Sequence, residues 1–169
     1  MMISTNYHTP VLLAESVEGL NIIEDGIYVW WLPVKYSNNM SYIMRLFSFF
    51  RYCYLAIIQA RKIEYDIVFA SSTPLTISIP GILLSKLKKT PFILEIRDLW
   101  PELPIAIGAL QSRFSIYLAK LLERWSYDNA DHIIGLSEDM CQNIEMNGQA
   151  KNKISNIPCL LYTSPSPRD

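Results

Sequence analysis

Three short runs in this chain are apolar almost from end to end: Ile67-Val-Phe-Ala70 after the charged Asp66, Phe92-Ile-Leu-Glu-Ile96 after Pro91, and Ile133-Ile-Gly-Leu136 after His132. A strand with one face in water alternates polar and apolar side chains. A strand without that alternation is read as buried on both faces. The intervening segments are of helical length: Leu75 or Ile79 to Lys88, with Lys86, Lys88 and Lys89 at the negative end of the dipole, and Phe114 to Asn129. A further helix is expected over Ser137 to Asn147, stopped by Gly148, and a last strand over Ile154 to Ile157. Upstream, Met1 to Thr5 and Gly26 to Val34 read as strands, and Asn38 to Lys62, free of Gly and Pro, as a long helix. Strands alternating with helices predict an α/β fold with a doubly wound parallel sheet, covered on both sides. No internal repeat is visible.

The chain has 169 residues, enough for one domain with a real core and too few for two full ones. Half of it is hydrophobic and only 18% is charged, which excludes intrinsic disorder. Its 15 basic residues against 16 acidic ones argue against a partner held by phosphate neutralisation, so no nucleic acid is expected. Cys53, Cys141 and Cys159 fall in no paired or metal-ligand spacing, and neither a disulfide framework nor a metal site is expected. No basic start followed by an apolar run opens the chain, so a cytoplasmic location is expected. The longest uncharged stretch, Ile67 to Ser85, is interrupted by Pro74, Pro80 and Gly81 and reads as strand, loop and helix start.

Ligands of parallel α/β sheets bind beyond the carboxyl ends of the strands. That rule directs attention to the residues after Ala70, Ile96, Leu136 and, at the start, Thr5. At the end of the Pro91–Ile96 strand stands Glu95-Ile-Arg97-Asp98-Leu-Trp-Pro-Glu102. Charges placed where an apolar strand ends are either paired or functional, and two structural pairs are open: Arg97 with Glu95, or Arg97 with Glu102. Ser71-Ser72-Thr73-Pro74 offers hydroxyls and free amides for a sugar hydroxyl or a phosphate oxygen, or else caps the next helix. Ser137 reads as a helix cap, with Glu138 and Asp139 complementing the dipole. His8, in the loop after the first strand, is a further candidate for the cleft, whereas His132 reads as structural. No GxGxxG, GxxxxGK or GxSxG run is present.

On a helical wheel, Ser41, Arg45, Ser48, Arg51, Gln59 and Lys62 form one narrow polar stripe, and most of the remaining circumference of Asn38 to Lys62 is apolar. Such a helix either packs on two sides or lays one apolar face on a membrane surface, with Arg45 and Arg51 near lipid phosphates.

Asp66 to Leu75 and Pro91 to Glu102 together resemble the N-terminal domain of family 4 glycosyltransferases. The likeness continues in order through Leu122-Glu-Arg-Trp-Ser-Tyr127, Ala130 to Met140 and Lys153-Ile-Ser-Asn-Ile-Pro158, and covers most of Ile3 to Pro158. Arg97-Asp-Leu-Trp-Pro-Glu102 is its most specific block and is similar to that of bacterial surface-polysaccharide enzymes. The resemblance implies a GT-B fold, with two Rossmann-like domains facing a cleft, the acceptor on the N-terminal one and a nucleotide-sugar on the C-terminal one. It implies a retaining, metal-independent transfer with no cofactor beyond the nucleotide-sugar co-substrate, onto an acceptor read as lipid-linked, at the inner face of the cytoplasmic membrane. Arg97 and Asp98 take the catalytic positions, Arg97 standing where many relatives have His. Glu102, Ser71, Ser72 and His8 are assigned to the acceptor.

On this reading residues 1–158 are an incomplete N-terminal half of a GT-B enzyme, with a first strand and Gly-rich loop expected upstream. Cys159 to Asp169 resembles the translation of a sequencing-library adaptor, and is read as non-native. The donor-binding domain is absent, so this stretch alone is expected to be inactive. The alternative is a free-standing, non-catalytic module that binds a sugar or a partner. A donor domain beyond Pro158 distinguishes the two.

Overall fold

The computed structural model describes residues 2–4, 10–16, 21–24, 27–34, 40–72, 75–106, 108 and 110–158. Eight strands form one sheet: β1 (Met2–Ser4), β2 (Pro10–Ser16), β3 (Asn21–Glu24), β4 (Ile27–Pro33), β5 (Ile67–Ser72), β6 (Phe92–Ile96), β7 (His132–Gly135) and β8 (Ile154–Asn156). Five α-helices accompany them: α1 (Tyr42–Ala60), α2 (Ser78–Lys88), α3 (Glu102–Ala106), α4 (Arg113–Asn129) and α5 (Glu138–Met146). The strand order is β3-β4-β2-β1-β5-β6-β7-β8.

The second half is the α/β arrangement expected from the sequence. β5, β6, β7 and β8 are successive parallel neighbours, in register as Ser72↔Ile96 and Ile96↔Gly135. Each apolar run becomes a strand within one or two residues of its expected bounds, and the intervening helices follow suit. Ser137 caps α5 as expected, its Oγ accepting from Met140 N at 3.3 Å. α2 ends at Lys89, which is left-handed at φ 55°.

The first half differs. Pro10–Ser16 and Asn21–Glu24 add strands that the sequence reading did not contain, and β1 is interior, antiparallel to both β2 and β5. Ser4 pairs with Ile67, so the carboxyl end of β1 lies at the edge where β5 begins, opposite the Ser72 end. Thr5 and His8 lie outside the described residues; the strand ends on either side of them, Ser4 and Pro10, are at that opposite edge.

Cover of the sheet is also one-sided among the described residues. Val68, Ala70, Phe92, Leu94, Ile96 and Ile133 are buried and share one face, and their core takes in Tyr52, Cys53, Ala56 and Ala60 of α1, Ile82 and Leu84 of α2, Tyr127 of α4 and Ile144 of α5. The opposite face, with Ile67, Phe69, Ile93 and Ile134, is half-buried and outside that core. Handedness is the reason. Right-handed crossovers that all step the same way along a sheet place their helices on one face. From β5 to β8 every step goes the same way. A second layer needs helical crossovers on the other side of β1, where the described residues form strands. The apolar runs are therefore two-faced in composition and one-faced in packing.

Two glycines let the helices approach. A Cβ on Gly81 of α2 would stand 2.6 Å from the Phe92 ring, and one on Gly135 of β7 would stand 2.7 Å from the Cys141 Sγ of α5. Between α2 and α4, Ser126 Oγ donates to Leu122 O at 2.7 Å, leaving Ser78 to donate to Ser126 Oγ at 2.6 Å. Burial pushes the Cys53 thiol up to about 12, so it packs as a small apolar group. Gly81→Ala is expected to destabilise the domain by about 1–2 kcal/mol despite the better helix propensity of alanine. Phe92→Leu, itself destabilising, should offset part of that loss, and a double-mutant cycle of urea melts measures the coupling.

Candidate functional site

The carboxyl ends of β5, β6, β7 and β8 line up along one edge, and the charged block falls there. β6 ends at Ile96, and Arg97 and Asp98 follow as a bend outside the strand, both exposed. Strand alternation therefore stops one residue short of Arg97. It does set Glu95 beside Ser71 and Ile134 on the half-covered face.

Ser71 and Ser72, expected in a loop, are the last two residues of β5, which runs two residues longer than its apolar stretch. Ser72 is buried and its Oγ accepts from the backbone N–H of Arg97 at 3.1 Å. A β5 side chain thus holds the start of the β6 loop. Ser71 is half-buried. Neither serine serves as the cap of α2, whose N-cap position is Ile77, with no side-chain hydrogen bond. His8 is outside the described residues.

The pairs open for Arg97 do not form. Among the described residues the ion pairs are Lys88–Glu64 at 2.6 Å and Arg124–Asp128 at 3.9 Å, and Arg97 makes none with Glu95, Asp98 or Glu102. Two opposite charges stand exposed and uncommitted at the end of a buried strand, on a loop fixed by Ser72 at one end and by the buried Pro101 at the other. Trp100 packs against the core. Such a pair can meet a ligand that carries both a negative group and a hydroxyl.

Glu102 is set apart from them. It opens α3, and one of its carboxylate oxygens, Oε2, is buried with no hydrogen-bond partner among the described residues. Its charge acts on Glu123 and Tyr127 of α4, which are 5% and 1% exposed. This buried group was not singled out from the sequence. The available signal was a glutamate on the arc of α4 that also carries Ala119 and Tyr127. Burial, followed by the nearby Glu102 charge, pushes the Glu123 carboxyl up to about 7, while Lys120 pulls the other way. Burial and the same two carboxylates also raise the Tyr127 phenol. Asn147 Nδ2 of the segment after α5 donates to Glu123 Oε1 at 3.4 Å. No group of three or more His, Cys, Asp or Glu residues among those described is placed to hold a metal ion.

A comparison with protein families finds that the model of the glycosyl transferase 4-like domain matches residues 11–159. The chain belongs to that family. It is a glycosyltransferase domain, and its Rossmann-like α/β sheet fits the assignment. A comparison with curated proteins finds no match.

The raised pKa of Glu123 gives a stability test. The folded state keeps the proton between pH 4.5 and about 7, whereas the unfolded chain releases it near 4.5. This contribution is full below pH 4.5, is lost as pH rises to about 7, and is constant above. Glu123→Gln, which mimics the protonated acid, should remove a fall of about 1–3 kcal/mol across that window. Urea melts of both proteins at intervals between pH 4.5 and 8 measure it.

Proposed function

We propose that the chain is the acceptor-side domain of a retaining glycosyltransferase, which moves a sugar from a nucleoside-diphosphate sugar to a lipid-linked saccharide. The product class is a bacterial surface polysaccharide: capsule, O-antigen or exopolysaccharide. The nucleotide-sugar is held by a second Rossmann-like domain across a cleft. The observation that carries this reading is the exposed, unpaired Arg97–Asp98 step at the carboxyl end of β6, on a chain of the glycosyl transferase 4-like family.

The chemistry suits those two charges. A departing diphosphate and an oxocarbenium-like sugar carbon need fixed charges of opposite sign, and a closed cleft strengthens both. Arg97, a guanidinium with donors and no acceptor, faces the departing phosphate and does not act as a base. Asp98 faces the acceptor hydroxyl and the positive sugar carbon. Its lack of an ion pair with Arg97 leaves the carboxylate available for that task. Ser71 lines the acceptor side with Asp98, and Ser72 holds the Arg97 backbone. Glu102, whose charge reaches Glu123 of α4, is assigned to the acceptor side with Ser71.

In the enzyme that carries this domain, Asp98→Asn should lower turnover by roughly a hundredfold or more, with the melting temperature held within about 1 °C. A loss of activity that simply tracks a fall in melting temperature returns Asp98 to a structural role.

A further inference from the structure

α1 has two faces of opposite character. Tyr52, Cys53, Ala56 and Ala60 are buried in the core, while Met44, Phe47, Phe50 and Tyr54 face outward, Phe47 with 71% of its surface exposed. The two-sided packing left open by the sequence is therefore not what the described side chains show. α4 repeats the pattern: Phe114, Tyr117, Leu118 and Leu121 are exposed opposite the buried Ala119, Glu123 and Ser126. α2 lies between them, packed against both, and exposes Leu83 and Leu87. The outer faces of three neighbouring helices thus expose a band of large apolar side chains, a kind of surface that marks an interaction site.

Charge tells what covers it. α1 and α2 contain no acidic residue. Arg51, Arg61, Lys62, Lys86 and Lys89, on these helices or just after them, are exposed, and the exposed acid Glu64 after α1 is paired with Lys88 of α2. On α4, Arg113, Lys120 and Arg124 point outward, Glu123 points into the core, and the outward acid Asp128 is paired with Arg124. The acids Glu138, Asp139 and Glu145 sit instead on α5. Aromatic and aliphatic side chains rimmed by Lys and Arg match an anionic bilayer surface, where rings enter the headgroup layer and cations meet phosphates. No helix among the described residues is long and apolar enough to cross a membrane.

The band also has a direction. Helices return antiparallel to the parallel strands, so the first turns of α1 and α4 lie toward the edge where β4, β5 and β6 end. Met44 and Phe114 are in those first turns, Phe47 and Tyr117 in the turns that follow, and exposed Leu103 of α3 lies on the same side. We propose that the outer faces of α1, α2 and α4 form one docking surface for an anionic lipid bilayer, seated so that the Arg97–Asp98 edge is held close to the headgroups. This deepens the function proposed above, because a lipid-linked acceptor presents its sugar at that depth. It rests on that reading for its purpose only.

The test is co-sedimentation of the full chain with vesicles of phosphatidylcholine alone, or with about a third phosphatidylglycerol. These vesicles contain no acceptor, so the result is independent of transfer activity. Binding to the anionic vesicles, weakened by raised salt, is expected. Phe114→Ser with Leu121→Ser, Phe47→Ser with Phe50→Ser, and Lys120→Glu with Arg124→Glu should each lower the partition by about tenfold, with circular dichroism unchanged. Met146→Ser on α5, which removes the 79%-exposed Met146 outside the band, should leave binding intact. Equal binding to both vesicle types, no binding, or binding unaffected by the apolar α4 pair, Phe114→Ser with Leu121→Ser, overturns the proposal. So does a dimer in gel filtration that the α4 pair converts to monomer, which would assign the band to a second copy of the chain.

Discussion

Contact between helix and sheet at two glycines is the constraint on which the rest depends. Gly81 brings α2 down onto the Phe92 ring, and Gly135 brings α5 down onto β7 through Cys141. Helix–sheet packing at that distance leaves no room for a methyl group, so the layer is held at one spacing. The strands then end in register, Ser72 beside Ile96 and Ile96 beside Gly135. That register is what allows a buried serine on one strand to hold the loop of the next. The site edge is a product of core packing, and the charged residues on it are carried there by apolar ones.

The parallel half of the fold was legible because its strands advertise themselves. Runs such as Ile67-Val-Phe-Ala70 have few other places to go, and Ser137 followed by Glu138 and Asp139 starts a helix by chemistry alone. β2 and β3 were not legible. Pro10–Ser16 begins with proline and closes on the polar pair Glu15-Ser16, and Asn21–Glu24 is four residues long, so each depends on a partner strand that the sequence does not name. The direction of β1 is likewise set by tertiary pairing. An apolar composition on both sides of a strand reports the residues and not the number of layers above them, and that is why the half-covered face of Phe69 and Ile93 came only with the structure.

At the site, Arg97 and Asp98 were legible from position, since charges at a strand end are conspicuous against an apolar background. Whether they were paired was not, because a pair is a matter of a few ångströms that spacing cannot give. The role of Ser72 needed the extra two residues of β5. The Glu102, Glu123 and Tyr127 group was hidden because its members lie on two helices, and because a glutamate on an amphipathic helix is ordinarily taken for a surface residue.

One-sided cover has a thermodynamic signature as well. The increase in heat capacity on unfolding follows the apolar area that folding removes from water. Ile67, Phe69, Ile93 and Ile134 keep part of theirs in contact with solvent. Calorimetry of the chain should therefore give a heat-capacity step below the ordinary value of about 12–15 cal/mol/K per residue, and a stability curve flatter than its length suggests. Where the described residues cover only one face of the sheet, depth of the stability maximum is traded for breadth, and the strand-end edge works on that flatter ground.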